Sequence, residues 1–209
     1  MSNTDFRVDK REIDRYFTAL SDYLTRTIVT TLSGEALGMA EAVNRCMTNA
    51  RRAHADGNKL IFVGNGGSAA IASHMATDYS KNGGVRALAL NDGSMLTCLG
   101  NDLGYDQVFA KQLELHARAG DIVFAISSSG RSANILNAAI TARVAGCSVV
   151  TLSGFSKDNP LRLLGDTNFY LASDRYGFVE IGHLTICHAI LDFICGLRVP
   201  DGMVLAAAS

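Results

Sequence analysis

The chain has 209 residues, enough for one domain with a sizeable buried core. Nearly half of the residues (48%) are hydrophobic and only two are proline, which excludes a disordered or fibrous chain. The 19 basic and 20 acidic residues almost cancel, so no basic field is available to hold nucleic acid. The five cysteines show no metal-binding spacing, and we find neither an apolar signal core nor a membrane-length run. We therefore expect reduced, mostly buried thiols in a soluble cytoplasmic protein.

Two amphipathic helices are predicted at the start of the chain. From about Arg11 to Val29, apolar residues recur every three or four positions, the period of a helix that buries one face. Ser33 is a suitable N-cap for a second helix that runs to about Asp56, where Gly57 would stop it. Residues 1–57 are thus predicted to form a helical pair, packed on the same domain or on a partner subunit.

Five short apolar runs follow, separated by helical stretches. The runs are 59–63, 86–90, 121–126, 147–152 and 167–171, and the helical stretches are 68–81, 106–117, 132–145 and about 177–196. Continuous apolar strands are typical of a parallel sheet that is covered on both faces. The alternation predicts one α/β domain with a doubly wound, five-stranded parallel sheet between helices. Its core would occupy residues 58–196, followed by a C-terminal tail over 197–209.

Two turns at the ends of these strands have the composition of an anion-binding site. GNGGS (64–68) follows the first strand and opens a helix, and SSSGRS (127–132) does the same after the third strand. Glycine lets the backbone approach a ligand closely, and free N–H groups at a helix N-terminus favour an anion. Each turn alone could be an ordinary loop, but both lie at carboxyl ends of parallel strands, where open α/β sheets bind ligands.

Several polar residues are candidates for chemistry. His74 and Asp78 lie one helical turn apart, where they could bind a metal, share a proton or form a solvated pair. Asn101-Asp102 is a weak signal, because both residue types are common turn formers.

Glu180, His183 and His188 lie in a strongly apolar helix. A histidine there is more often a satisfied core residue than a ligand, and a buried Glu needs a partner. Glu180 and His188 are about 12 Å apart along the axis, so they converge only if both side chains lean inward or different subunits supply them.

Three segments together resemble the sugar-isomerase (SIS) domain family, and most closely its phosphoheptose isomerases. They are FVGNGGSAAIASHMATDYSK (62–81), CLGNDLGYDQVF (98–109) and ISSSGRSANILNAAITARVAGCSVVTLSG (126–154). The resemblance covers about residues 33–193. It implies a three-layer α/β fold, an enzyme that isomerises sedoheptulose 7-phosphate to D-glycero-manno-heptose 7-phosphate through an enediol, and a homotetramer with active sites between subunits.

Carried over by position, the resemblance implies a set of residues that contact the sugar phosphate: Asn65, Gly66, Gly67, Ser68, Asn101, Asp102, Ser127, Ser128, Ser129, Ser132 and Glu180. It also implies a metal and acid/base set, often occupied by Zn²⁺, of His74, Asp78, Glu180 and His188, with Asp78 as base and His188 as acid or the reverse. This chain has Asp78 where the isomerases carry Glu, and Glu180 where they carry Gln. It has YGFVE (176–180) where their segment usually contains Arg-Ile-Gln. The replaced side chains remain suitable Zn²⁺ ligands.

Two other functional classes remain open. One is a non-catalytic member of the family that binds a protein partner such as the replication initiator, and the other is a phosphosugar-sensing regulator. The presence of His74, Asp78 and His188 favours the enzyme, because a scaffold has no need of them. No DNA-binding motif is visible, and neither nucleic acid nor a membrane is an expected partner.

Overall fold

The structure is a computed structural model and describes residues 7–198. Most of the predicted C-terminal tail (197–209) lies outside the described residues. Within them, seven helices are present: α1 Lys10–Thr25, α2 Met39–Ala55, α3 Gly67–Lys81, α4 Gly93–Leu103, α5 Val108–His116, α6 Ala133–Val144 and α7 Tyr176–Ile194. The strands there are β1 Ile28–Thr31, β2 Ala36–Leu37, β3 Leu60–Gly64, β4 Ala87–Ala89, β5 Ile122–Ser127, β6 Ser148–Ser153 and β7 Thr167–Tyr170.

One sheet runs through the described part of the chain, in the order β2-β1-β7-β6-β5-β3-β4. Strands β3 to β7 are parallel to their neighbours and correspond to the five predicted strands, so the predicted doubly wound α/β fold is confirmed. The prediction of five strands was too low, because β1 and β2 extend the β7 edge as an antiparallel hairpin.

Both faces of the sheet are covered by helices. Leu60, Phe62 and Phe124 face α2, α3 and α7, and the rings of Phe62 and Phe124 stack with centroids 4.7 Å apart. Ile61 and Val123 face α5 and α6 on the other side. This two-sided burial explains why the central strands β3 and β5 are apolar at nearly every position rather than at alternate positions.

The N-terminal segment differs from the predicted helical pair. Helix α1 begins behind a capping box of Asp9 and Glu12, but it ends at Thr25 instead of continuing to Val29. The run Ile28–Thr31 is β-branched throughout and forms strand β1. Ser33 lies in the hairpin turn, so the second helix starts at Met39 with Gly38 as N-cap. The predicted stop at Gly57 is confirmed by its positive φ of 83°.

A helix that was not predicted, α4, ends with the Asn101-Asp102 segment. The Asp92 side chain caps it by accepting a hydrogen bond from the Met95 N–H at 2.9 Å. None of its residues is fully buried, and Leu96 and Leu99 pack only partly buried against the core. The predicted helix over 106–117 accordingly begins as a 3₁₀ turn at Tyr105–Gln107 and continues as α5.

Helix α7 is long and apolar enough, by length and composition alone, to cross a membrane, contrary to the expectation that no run reaches that length. In the folded chain it packs against both α2 and α3 and supplies buried residues to the core. These contacts are those of a core helix. The thiols agree with prediction: Cys46, Cys147 and Cys187 are buried and Cys98 and Cys195 are exposed, all unpaired.

Candidate active site

One cavity at the carboxyl edge of the sheet receives both predicted anion-binding turns. The turns follow β3 and β5, which are direct neighbours paired up to Gly64 and Ile126. The strand order reverses between these two strands, which is where open α/β sheets bind ligands. The cavity has a volume of about 260 Å³ and is lined by Asn65, Gly66, Gly67, Ser68, Ile126, Ser127, Ser128, Ser129, Ser132, Tyr176 and Glu180. The structure thus brings nine predicted residues together, and their contact with a sugar phosphate stays a prediction.

Two helix N-termini form the polar wall of this cavity. The N-cap residues Gly66 of α3 and Ser132 of α6 make no side-chain capping hydrogen bond, so no side chain occupies the first-turn N–H groups. Gly66 has φ 53° and ψ −122°, a conformation that glycine tolerates and other residues avoid. No Lys or Arg of the described residues lines the cavity. The groups that the cavity offers to an anion are therefore backbone N–H dipoles and serine hydroxyls.

The side-chain amide of Asn65 is hydrogen-bonded to other side chains of the protein. Its Nδ2 donates to Asn134 Oδ1 and its Oδ1 accepts from Asn134 Nδ2, both at 2.9 Å. Tyr105 Oη also donates to Asn65 Oδ1 at 3.1 Å. The pair links the GNGGS turn to the start of α6. Asn134 was not predicted as a site residue, although it is the last residue of the SxSGxSxN pattern that indicates the family.

Three of the four predicted metal and acid/base residues lie together. The Nε2 atoms of His74 on α3 and His188 on α7 are 3.2 Å apart, and His74 Nε2 lies 3.5 Å from Asp78 Oδ2. One ligand atom from each residue lies within 4.8 Å of the others. A tetrahedral site with bonds of about 2.0–2.1 Å separates its ligand atoms by roughly 3.3 Å. The donor types and spacings of this cluster therefore fit a divalent transition metal.

Within one chain Glu180 lies apart from this cluster, so its predicted place in the four-residue set stays a prediction. Its carboxylate lies against the start of α3, where a Cβ added to Gly67 would come within 2.5 Å of both carboxylate oxygens. Glu180 and His188 belong to one continuous helix, so about 12 Å of helix axis separates them. In the single chain Glu180 lines the cavity, whereas His188 lies with His74 and Asp78.

Helices α3 and α7 lie side by side and run in the same direction. Gly67 faces Glu180, His74 meets His188, and Tyr79 Oη donates to the Cys187 carbonyl at 3.1 Å. Residues further along α3 therefore contact residues further along α7. This arrangement places the cavity at the N-terminal ends of the pair and the His/Asp cluster further along it.

Asn101 and Asp102 are not brought to the cavity within one chain. They lie exposed in the last turn of α4, where Asn101 Nδ2 donates to Asp102 Oδ1 at 2.8 Å. Only Tyr105, just beyond them, reaches the site, through its contact with Asn65. Their predicted contact with the substrate stays a prediction.

Tyr176 lines the cavity and was not predicted as a site residue. Its ring meets that of Phe155 edge to face with centroids 4.9 Å apart. Phe155 has φ 56° and is the one non-glycine residue with positive φ among residues 7–198. It is held there because its N–H donates to the Ser173 carbonyl and its carbonyl accepts from Tyr170 Oη. No sequence pattern indicates this aromatic pair, because it depends on how the loop after β6 packs against the start of α7.

The comparisons with known proteins agree with this architecture. The family model described as SIS domain matches residues 15–154, so the chain is a SIS domain protein. A phosphoheptose isomerase of Geobacter sp. strain M21 is 38% identical over 174 residues, which cover 80% of this chain and 88% of the relative. The structure of phosphoheptose isomerase from Neisseria gonorrhoeae matches with a TM-score of 0.76 and 28% identity, covering 90% of this chain and 99% of the other. The structure of a phosphoheptose isomerase from Francisella tularensis matches with a TM-score of 0.76 and 25% identity, covering 91% of this chain and 100% of the other. The chain belongs to the phosphoheptose isomerase family.

Proposed function

We propose that this chain converts sedoheptulose 7-phosphate into D-glycero-manno-heptose 7-phosphate. The observation that supports this most is that two sites lie along α3. One is an anion cavity at the N-termini of α3 and α6, and the other is a His/Asp cluster between α3 and α7. The first suits a phosphoryl group and the second suits proton transfer.

The separation of these two sites fits the length of a heptose phosphate. Gly67 and His74 are seven positions apart on α3, which is about 10 Å along the helix axis. An extended seven-carbon chain spans roughly 10 Å from the phosphorus to C1, given C–C bonds of about 1.5 Å. With the phosphate at the cavity, C1 and C2 would therefore lie at the cluster.

The reaction moves one proton between two adjacent carbons. A base removes a proton from C1 of the ketose, an enediol forms as the carbonyl oxygen at C2 gains a proton, and return of a proton to C2 with loss of the O1 proton gives the aldose. We assign the base to Asp78, whose side chain is 20% exposed, and the acid to His188, or the reverse. His74 lies within reach of both and orients them.

The ligand set of the cluster is His74, Asp78 and His188. A Zn²⁺ ion bound there would supply Lewis-acid polarisation of the carbonyl group in place of the proton from His188, because a ligating imidazole nitrogen carries no proton. Glu180, beside Gly67, is left to contact the sugar or its phosphate.

The isomerase is tested with sedoheptulose 7-phosphate in an NMR or mass-spectrometric assay. We expect Asp78→Asn and His188→Ala each to lower kcat at least about 100-fold, because each removes one partner of the proton transfer. Ser80→Ala, an exposed position near the end of α3, is the control and should keep the wild-type rate. Wild-type turnover of heptose and pentose phosphates by both variants would reject the assignment.

Zinc is tested separately by elemental analysis of the purified protein. We expect about one zinc per chain in the wild type and in Ser80→Ala, and a large loss of zinc in His188→Ala. Equal zinc content in wild type and His188→Ala would show that this cluster is not the metal site.

The alternatives of a protein-binding scaffold and a phosphosugar-sensing regulator are not favoured. Both explain the anion cavity, but neither explains the three clustered side chains 10 Å away. Capture of a protein partner together with no turnover of any sugar phosphate would favour the scaffold.

We also infer a cytoplasmic homotetramer with active sites between subunits. Helix α1 has no buried residue, and its side chains Ile13, Tyr16 and Phe17 are exposed. A largely apolar groove of about 780 Å³ lies between the end of α1, α2 and α7. Such surfaces on a soluble chain are typical of subunit interfaces.

A further inference from the structure

The amide pair of Asn65 and Asn134 joins the two turns that form the anion cavity. Asn65 directly precedes Gly66, the N-cap of α3, and Asn134 is the second residue of α6. The side chain of Asn134 is almost fully enclosed, with 3% of the residue exposed. Two reciprocal hydrogen bonds of 2.9 Å therefore connect the starts of two helices that belong to different strand–helix units.

This pairing leaves little of the Asn65 side chain for a ligand. Its Oδ1 accepts from both Asn134 Nδ2 and Tyr105 Oη, and one of its two N–H groups is used by Asn134. At most one side-chain N–H of Asn65 remains free. The pair has no charge, and Asn134 does not line the cavity, so the effect of Asn134 on an anion there is geometric.

Tyr105 brings a third element to the same amide. It stands at the start of the 3₁₀ turn after α4, next to Gly104 with φ 92°. Its hydroxyl bonds Asn65 Oδ1, and the carbonyl of Asp106 accepts from Asn137 Nδ2 of α6 at 3.0 Å. The segment that follows Asn101 and Asp102 is thereby attached to the GNGGS turn and to α6.

We propose that Asn134 and Tyr105 are positioning residues, which act through Asn65 to hold the N-termini of α3 and α6 at the separation that lets both bind one phosphoryl group. This inference rests on the proposed use of the cavity for a phosphate. Pre-set donors bind an anion more tightly than donors that must be brought together on binding. The loss of either side chain should therefore weaken phosphate binding and leave the His/Asp cluster intact.

The test measures the Kd of inorganic phosphate by calorimetry, and KM and kcat for sedoheptulose 7-phosphate. We expect Asn134→Ala to raise both Kd and KM at least about 10-fold with kcat within about 3-fold of wild type. Tyr105→Phe removes one exposed hydroxyl and should raise both about 3- to 5-fold. Asn49→Ala, the same substitution at an exposed position of α2, is the control and should change neither constant.

A double-mutant cycle separates positioning from general damage. Because Asn65→Ala and Asn134→Ala break the same pair, the phosphate Kd of the double variant should be no more than about 3-fold above that of the single variant that binds phosphate less tightly.

Wild-type Kd and KM in Asn134→Ala and Tyr105→Phe would overturn the inference. If Asn134→Ala fails to fold, the Kd and KM of Tyr105→Phe decide. A wild-type protein that binds no phosphate would overturn the inference together with the assigned cavity. Phosphate binding without heptose isomerisation would reject the proposed function alone, since the Kd series still tests the positioning.

Discussion

His183 shows how burial alone sets the charge state of a residue in this protein. It is fully enclosed, and neither ring nitrogen has a hydrogen-bond partner at good geometry among the described residues. Burial lowers the pKa of His183 to about 4, with a smaller opposing effect from the Ser153 backbone. The ring is therefore neutral near pH 7. His183 is a core residue as expected, but its ring nitrogens are not satisfied by hydrogen bonds as that expectation required. His188 instead lies in the His/Asp cluster.

The buried His183 predicts a specific loss of stability in acid. The pKa is about 4 in the folded chain and about 6.5 in the unfolded chain, so the unfolded chain binds more protons between these values. Stability therefore falls as the pH falls through this window, and His183 accounts for about 2 kcal/mol of the loss by pH 5. Urea unfolding at pH 7.5 and pH 5 measures the decrease in the free energy of unfolding between the two pH values. This decrease should be about 2 kcal/mol smaller in His183→Leu than in the wild type.

The control for this prediction is His116→Leu, which replaces an exposed histidine at the end of α5. Its pH dependence should follow the wild type, because this variant keeps the buried His183. The same pH dependence in His183→Leu and the wild type would contradict the burial of a neutral ring.

At the scale of elements, the turn between β3 and α3 depends on the backbone of Gly66. A Cβ added there would meet no atom within 4 Å, so substitution introduces no clash. The cost comes only from φ 53° and ψ −122°, which an L residue adopts at about 1–3 kcal/mol. We expect Gly66→Ala to lower the free energy of unfolding by this amount and to raise the KM for the sugar phosphate.

Gly93, the first residue of α4, is the matched control. A Cβ added there also meets nothing within 4 Å, but its φ is not positive. Gly93→Ala should therefore be neutral or slightly stabilising in chemical denaturation, because Ala is the better helix former. Equal stability of the two variants would contradict the assigned strain.

At the scale of the whole molecule, α1 is the helix whose apolar face the described part of the single chain leaves uncovered. Ile13 and Phe17 are 45% and 61% exposed although they belong to the apolar face of an amphipathic helix. If a second copy covers this face, Ile13→Asp combined with Phe17→Asp should reduce the tetramer to smaller species. Light scattering after size-exclusion chromatography measures this change, and the proposed placement of the sites between subunits predicts that turnover falls with it.

Thr18→Asp places the same charge on the polar face of α1, beside Asp14 and Asp22, and should keep the tetramer. A tetramer that survives the Ile13/Phe17 change would show that α1 is not the interface. A monomeric wild type would reject the inferred assembly.

The amino-acid sequence by itself determined the α/β class, the five parallel strands and the two anion-binding turns. Each of these depends on short-range patterns: apolar runs of strand length, and glycine or serine directly before a helix. The one-turn spacing of His74 and Asp78 was equally local. The N-terminal boundary was mispredicted because the helical period of α1 continues by chance into Ile28 and Val29, whose β-branching suits the strand that they form.

Only the tertiary structure decided which side chains meet across different elements. The parallel packing of α3 and α7 unites His188 with His74 and leaves Glu180 beside Gly67. The sheet order places Asn134 opposite Asn65, and the loop after β6 presents Phe155 to Tyr176. No period along the chain encodes these contacts, because they join residues that are from 21 to 114 positions apart and exist only once the helices are packed on the sheet.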